Sequence, residues 1–503
     1  MKVLYIAAEC KPFSKVGGVG DVAGELPAAL ARLGVDVEVV TPAYGRGVGP
    51  SRRTQTFQGQ REAVAFIEDE LTGVPVTLVA NPTYFAADYT QSPHPPLPFP
   101  STELFSKHYG VPYVDSARIP FYDDAIRFAF FSEACLGLIA ARQPDIVHVN
   151  DWPMGYLFGR MAVEALPQTR VLTIHNVGYQ GNLWRGSIRG WDMERLADHP
   201  TVGPFFADPH PAWDSVNALR LGMELAHQVN TVSPRYRDEM MQPEDRYRYF
   251  EGGKGLDGVA ARLDAEGRLH GILNGFEYAG EPTDDAFEET LARKAAMRQA
   301  LAGSFENPDA LLLGFVGRAV EQKFKLLAEP LHGKSVLEHL LDMPDVNVAL
   351  VATGLPEYER FIARFIGRPN YSATVAFDRE RARQISLGSD LLLMPSLFEP
   401  CGITQMESMS GATPPLVRWT GGLVDTVRPH TEEDGTGFGF DGRTGPEVLM
   451  NLLMTVREAV RVRHAKHDQF KALQRRGFAQ RFLWSTAAAE YVRMYERAMA
   501  SSR

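Results

Sequence analysis

Three short stretches of this chain set charged side chains where an anion or a sugar could be gripped. Residues 11–30, KPFSKVGGVGDVAGELPAAL, follow an apolar run and place Lys15 beside Gly17 and Gly18, with Asp21 next. A glycine-rich turn from strand into helix lets the backbone approach an anion closely, and its exposed N–H groups and the helix dipole attract phosphate. Lys15 would add a fixed positive charge beside a diphosphate or sugar oxygen; the alternative is a solvated loop lysine. The pattern is K-x-G-G-x-G-D, not G-x-G-x-x-G, so it fails the dinucleotide fingerprint and argues against a nicotinamide dehydrogenase. Further on, GFVGRAVEQKFK holds Arg318 and Lys323 just after an apolar run. A pyrophosphate bound between two domains would need two such cations. The third stretch, SDLLLMPSLFEPCGITQMESMSGATPPLVRWTGGLVDTV, carries Glu399 and Glu407 with seven residues between them. If that interval opens a helix, one carboxylate can point at a sugar while the other accepts from ribose hydroxyls. Gly333-Lys334-Ser335 resembles the end of a P-loop, but Ala328 stands where its first glycine should be.

Such groups need rigid elements behind them, and the chain supplies an alternation of apolar strands and helical patterns. VLYIAA is continuously apolar, as a strand buried on both faces of a parallel sheet must be. DVAGELPAALARL, residues 21–33, has helical spacing with Asp21 as its expected N-cap. VDVEVVTPAY, DIVHVND, TRVLTIHN and HQVNTVSP read as further strands, with AIRFAFFSEACLGLIAAR as a helix among them. From Gly271 to Asp284 the text turns rich in glycine and acid, which predicts a domain boundary. A second series follows with LLLGFVGR, VNVALVATG, SDLLLMPS and PPLVRW. The expected class is α/β with two similar halves. The proline-rich stretch at 88–101 reads as a surface loop near the cleft.

Composition narrows the partners. At 503 residues and 45% apolar content the chain exceeds what one core organises. A formal net charge of −10 disfavours nucleic acid and anionic membrane surfaces as partners. Cys10, Cys135 and Cys401 are widely spaced and form no CxxC or Cys/His cluster, so a cytoplasmic, reducing location is expected. No window approaches the length of a membrane span, and no DxD motif or His/carboxylate cluster predicts a metal site.

Taken in order, KVGGVGDV, NDWPMG, TIHNVGYQG, TVSPRY, GILNG, GRAVEQK, PSLFEPCGITQ and TGGLVDTV make the chain resemble bacterial glycogen synthases and plant starch synthases. These are retaining glucosyltransferases of the GT-B fold, in which two Rossmann-like α/β domains face a central cleft. The resemblance implies an N-terminal domain over 1–278, a donor-side domain over 279–480, and a C-terminal segment, 481–503, whose helix comes after the Phe482-Leu483-Trp484 motif and packs back on the first domain. It implies glucose transfer from ADP-glucose or UDP-glucose to the non-reducing 4-hydroxyl of an α-1,4-glucan, with no cofactor. Sucrose synthase-like transfer to a small sugar, or a glucan-binding homologue without turnover, are the alternatives. By the same resemblance Lys15, Gly17, Gly18 and Asp21 would close over the donor, while Asp151 and His175 would line the glucose site. Asn274 would sit by the glucose or acceptor. Arg318 and Lys323 would hold the diphosphate, Glu399 the glucose hydroxyls, and Glu407 the ribose. Cys401, Gly402, Ile403 and Thr404, with Gly421, Gly422 and Leu423, would complete the cradle through backbone N–H groups.

Several positions depart from the family's usual text. Asn150 and Pro153 stand where H-D-W-H has imidazoles, Phe324 replaces a glycine, Glu277 replaces the aspartate of N-G-x-D, and Ala376-Phe377 lies near a usual glycine and tyrosine. Phe324 is expected either to force a different backbone or to fill part of the cleft.

Overall fold

The computed structural model describes residues 1–44, 54–58, 63–81, 84–85, 124–188, 190–210, 214–431 and 433–502. The proline-rich stretch at 88–101 lies outside the described residues.

Nine strands form the first sheet, in the order Leu269–Gly271, Gln228–Thr231, Thr169–Ile174, Ile146–Asn150, Lys2–Ile6, Asp36–Pro42, Val74–Ala80, Ala63–Leu71 and Thr54–Gln58. All neighbours are parallel as far as Val74–Ala80, and the last two strands add antiparallel. The strand Lys2–Ile6 is central, and its continuous apolar run is buried on both faces because each face carries helices. Leu4 and Ile6 share a core with Phe128, Phe131 and Leu138 of the helix Asp124–Arg142. Val3 and Tyr5 pack on the other side against Val22 and Leu26 of the helix Gly18–Arg32 and against Tyr491 and Tyr495 of the helix Trp484–Ser501.

The second sheet has the order Tyr371–Thr374, Val346–Gly354, Leu311–Ala319, Leu391–Met394, Pro415–Arg418 and Phe438–Phe440, all parallel. Counted along the chain this is third, second, first, fourth, fifth, sixth, the doubly wound order. Leu311, Leu313 and Phe315 pack with Val336, Leu340 and Leu452 on one face, and Leu312 with Leu301 and Ile385 on the other. Both sheets reverse direction beside their first strand, and ligands of open α/β sheets bind in the crevice that this reversal leaves at the carboxyl ends.

The chain passes between the halves after Gly271 and returns before Trp484, and the two passages lie side by side. Phe276 N–H donates to the Phe482 carbonyl at 2.7 Å, and Phe482 N–H donates to the Tyr278 hydroxyl at 3.0 Å. Leu273, Phe276 and Phe482 pack there with Val232, Cys401 and Met406. Trp484 then anchors the last helix, its indole N–H donating to Glu25 Oε2 at 2.6 Å.

Two details differ from the sequence reading. The first helix begins at Gly18 rather than after Asp21, with Gly17 as its N-cap, so Asp21 falls inside the first turn, where a carboxylate complements the helix dipole. The hairpin Ala63–Leu71 and Val74–Ala80, turning through Thr72 and Gly73 at positive φ, was not expected from the sequence. Cys10, Cys135 and Cys401 are free, buried thiols. No helix of the described residues is long and apolar enough to cross a membrane.

Candidate active site

Arg318 lies near the carboxyl end of the strand Leu311–Ala319, and Lys323 on the first turn of the following helix, Glu321–Ala328. Glu399 sits in the turn after Leu391–Met394, the strand that pairs beside Leu311–Ala319. All three thus lie at the carboxyl ends of adjacent strands, at the reversal point of the second sheet. Lys323 Nζ is ion-paired with Glu399 Oε2, and Ser396 Oγ–H donates to the same oxygen at 3.0 Å. Two further bonds hold the segments that carry the pair: Leu397 N–H donates to the Gln322 carbonyl at 2.7 Å, and the Gln322 side-chain Nε2 donates to the Phe398 carbonyl at 3.0 Å. Glu399 is 7% exposed, so its carboxylate is held by these partners rather than by bulk water.

On the opposite side, the glycine-rich turn is governed by Glu9. This fully buried carboxylate accepts the N–H groups of both Val16 and Gly17. In the first turn of the helix, a Cβ at Gly20 would lie 3.3 Å from Glu9, Lys15 and the Ser14 carbonyl, a tight fit. Lys15 Nζ reaches Asp21 at 2.6 Å. Glu407, on the helix Thr404–Ser410 of the other half, has an exposed side chain. Partial loss of solvation by the surrounding protein raises its carboxyl pKa from the ordinary value, with Lys15 acting against that rise and Asp21 adding to it. Lys15 and Asp21 of the glycine-rich turn are therefore near enough to the Glu407 helix of the other half to act on its charge.

Asp151 and His175 follow neighbouring strands of the first sheet. Asp151 Oδ1 accepts the His175 N–H at 2.6 Å, and His175 Nε2 bonds Asn150 Oδ1 at 2.9 Å. Since Asn150 Nδ2 donates to the Ile6 carbonyl, its Oδ1 is the acceptor and His175 carries its proton on Nε2. Burial pushes the His175 ring down to about 3, so it is a neutral imidazole at pH 7. Tyr5 also donates to Asn150 Oδ1, at 3.0 Å. The asparagine that replaces a family histidine is therefore the centre of a buried polar network.

Asn274 and Cys401 meet between the halves, where both are buried. Burial pushes the Cys401 thiol up to about 12, with hydrogen bonds from Asn274 acting against that rise. The amides of Gly402, Ile403 and Thr404 donate to no group among the described residues. Those of Gly421, Gly422 and Leu423 differ from the expectation that they face a ligand. Gly421 N–H donates to both Glu239 oxygens at 3.0 and 3.1 Å, Gly422 N–H to the Glu399 carbonyl at 2.9 Å, and Leu423 N–H to the Thr420 carbonyl at 3.2 Å. Glu239, from the first half, fills the place an anion would take at that helix start. Gly421 has φ 48°, and a Cβ on it would meet the Glu399 carbonyl at 2.0 Å, so this turn admits only glycine. Arg418 completes the joint, donating to the carbonyls of Arg248, Tyr249 and Leu397, each at 2.7 Å.

Glu9, Glu239 and Arg418 escaped the sequence reading. An acid ending the apolar run VLYIAAE was the one available signal. The departures are also placed. Phe324 is fully buried against Phe315, Tyr358 and Phe361, so it fills the core rather than the cleft. Pro153 lies in the short 3-10 turn Trp152–Met154, Glu277 is exposed, and Phe377 is 78% exposed. Among the described residues no group of three or more His, Cys, Asp or Glu could hold a metal ion.

Known proteins resemble the chain in sequence and in fold. The starch synthase catalytic domain family matches residues 2–262. Glycogen synthase 1 of Methylococcus capsulatus is 32% identical over 99% of this chain and 97% of its own length. Glycogen synthase of Anaeromyxobacter dehalogenans is 35% identical over 98% of this chain and 99% of its own. Among solved structures, the catalytic domain of starch synthase IV from Arabidopsis thaliana, bound to ADP and acarbose, superposes with a TM-score of 0.76 at 24% identity, covering 99% of both chains. Sucrose-phosphate synthase from Thermosynechococcus elongatus shares the GT-B fold at a TM-score of 0.56 and 16% identity, again over 99% of each. With its doubly wound sheets, its opposed glycine-rich turn and Lys323–Glu399 pair, and full-length identity above 30%, the chain belongs to the glycogen synthase and starch synthase family of glycosyltransferases.

Proposed function

We propose that the chain moves glucose from ADP-glucose to the non-reducing 4-hydroxyl of an α-1,4-glucan with retention of the α configuration. The observation that carries this reading is the Lys323–Glu399 pair at the reversal point of the second sheet, on the strand ends that also carry Arg318, with Lys15 and Asp21 of the other half acting on the charge of Glu407. Arg318 and Lys323 hold the diphosphate and stabilise the charge that grows on it as the sugar leaves. Glu399 accepts from glucose hydroxyls, Glu407 from the ribose, and the uncommitted amides of Gly402 to Thr404, following Cys401, complete the phosphate contacts. Lys15, Gly17 and Gly18 close over the donor, with Asp21 holding Lys15 in place. Asp151 fixes His175, and Asn274 flanks the sugar. Retention follows from front-side attack, in which a donor phosphate oxygen takes the acceptor's proton while the cations stabilise the leaving group. The neutral His175 ring offers a hydrogen bond near the anomeric carbon without adding a charge.

The adenine nucleotide is favoured because the starch synthase IV structure was obtained with ADP, and its acarbose supports an oligosaccharide acceptor. Three free, buried thiols support a reducing, cytoplasmic location. Incubation with labelled ADP-glucose or UDP-glucose and glycogen tests the reading. Label entering glycogen from ADP-glucose, and released as maltose by an exo-acting β-amylase, is the expected result. Release of nucleoside diphosphate without polymer labelling overturns the glucan acceptor.

A further inference from the structure

The strand Gln228–Thr231 leads into a short helix, Pro234–Met240, that touches both halves. Tyr236 and Met240, four residues apart, turn into the core of the first half, whereas Arg235 and Glu239, also four apart, turn to the second. On the second side the contacts gather around Glu399. Ser233, the N-cap, donates its hydroxyl to the carbonyl of Pro400, the next residue after Glu399, at 2.6 Å. Glu239 accepts the Gly421 N–H and, at 3.2 Å, the Thr420 hydroxyl, while the adjacent Gly422 N–H holds the Glu399 carbonyl. On the first side, the Tyr236 hydroxyl accepts the Val177 N–H at 3.1 Å and directs its own proton to Glu251 Oε2 at 3.4 Å. Val177 lies two residues past His175, whose own N–H is held by Asp151. Tyr236, Val177 and Glu251 are all buried, and no other group among the described residues accepts the Val177 N–H. Burial raises the Glu251 carboxyl well above its ordinary value, with Lys254 and the Tyr236 hydrogen bond acting against the rise. A Cβ on Gly178 would lie 2.6 Å from Glu251 Oε1, so the loop after His175 packs onto this carboxyl.

We propose that Tyr236 is a positioning residue of the transfer site: its hydroxyl sets the His175 loop in register with the Glu399 turn, which the same helix holds through Ser233 and Glu239. This rests on the transfer reading, in which His175 and Glu399 reach one sugar from different halves. A small error in their register is costly, because the reacting groups must be held to a fraction of an ångström. A helix bonded to both loops fixes that register without itself touching donor or acceptor. Removing the Tyr236 hydroxyl leaves the buried Val177 N–H without an acceptor, which loosens the loop on one side of His175. Since His175 acts at the anomeric carbon and not on the nucleotide, the damage falls on turnover rather than on donor binding.

Tyr236→Phe in the full chain tests the assignment through two readouts. In transfer of labelled glucose from ADP-glucose to glycogen, kcat falls at least about tenfold while the donor KM stays within about twofold of wild type. In a His175→Ala background the same substitution costs less than about twofold, because the loop then has no ring to place. Hydrogen exchange reads the loop without turnover: the Val177 amide exchanges at least about fivefold faster in Tyr236→Phe, while the strands Lys2–Ile6 and Leu311–Ala319 keep the wild-type rate. Should Tyr236→Phe unfold by circular dichroism, Glu251→Met, which strips the hydroxyl of its acceptor, carries the same expectations at about threefold. Wild-type kcat in Tyr236→Phe, a full further loss in the His175→Ala background, or an unchanged Val177 amide overturns the proposal. A wild-type chain that transfers no glucose, with the exchange shift still present in the variant, overturns the transfer reading instead and leaves Tyr236 as the anchor of the loop.

Discussion

Lys323 carries the most exposed consequence at the scale of single residues. Replacing it by alanine removes the cation nearest Glu399 and should lower turnover with ADP-glucose at least about tenfold, measured as kcat in a coupled ADP-release assay. Turnover within twofold of wild type would take Lys323 out of the transfer step. Glu9 makes a different prediction, because it touches no donor group and acts through the turn it holds. Glu9→Gln withdraws the charge that gathers the Val16 and Gly17 amides, so the donor KM should rise roughly fivefold while circular dichroism stays native. An unchanged KM would make Glu9 a purely structural acid. Lys15, Arg318, Lys323 and Glu399 were legible as candidates because each is a charged residue just past an apolar run, close in sequence to glycine or proline. Glu239 and Arg418 were not, since their partners Gly421 and Tyr249 lie 182 and 169 positions away and nothing local marks the pairing.

The last helix is the decisive element. It carries Trp484, 7% exposed, against the backbone of Gly275, where even a Cβ would meet the tryptophan main chain at 2.5 Å. Trp484→Ala deletes this packing and the bond to Glu25, and should destabilise the chain by about 3–5 kcal/mol, read from urea unfolding. A loss under about 1 kcal/mol would show that the helix is not held there. Parallel strands such as Lys2–Ile6 and Leu311–Ala319 were legible because burial on both faces forces an uninterrupted apolar run. The hairpin strand AVAFIEDEL mixes acids into its length because an antiparallel pair tolerates one wet face, and that blurs the signal. Strand order, and hence the place where the reversal points fall, depends on pairing between distant segments that no local pattern records.

For the whole molecule, stability should depend on acid through two buried imidazoles. His148, hydrogen-bonded to Tyr495 at 2.7 Å and Thr173 at 2.8 Å, is pushed by burial from 6.5 down to about 3, as is His175. Between pH 6.5 and about 3 the unfolded chain takes up protons that the native fold refuses. Stability therefore falls as pH drops through that window, by up to about 1.4 kcal/mol per unit for each ring. Urea unfolding from pH 7 to pH 5 should show a shallower acid slope for His148→Gln than for the wild type; equal slopes would contradict the buried neutral ring. Function at this scale rests on the two halves gripping one activated sugar between the glycine-rich turn and the Arg318/Lys323 pair. The most direct test is the rate at which labelled glucose passes from ADP-glucose into glycogen, compared between the wild-type chain and Arg318→Ala/Lys323→Ala. Polymer labelling by the wild type, falling at least about a hundredfold in the double variant while its melting temperature holds, is the predicted result. Equal labelling by both chains would contradict it.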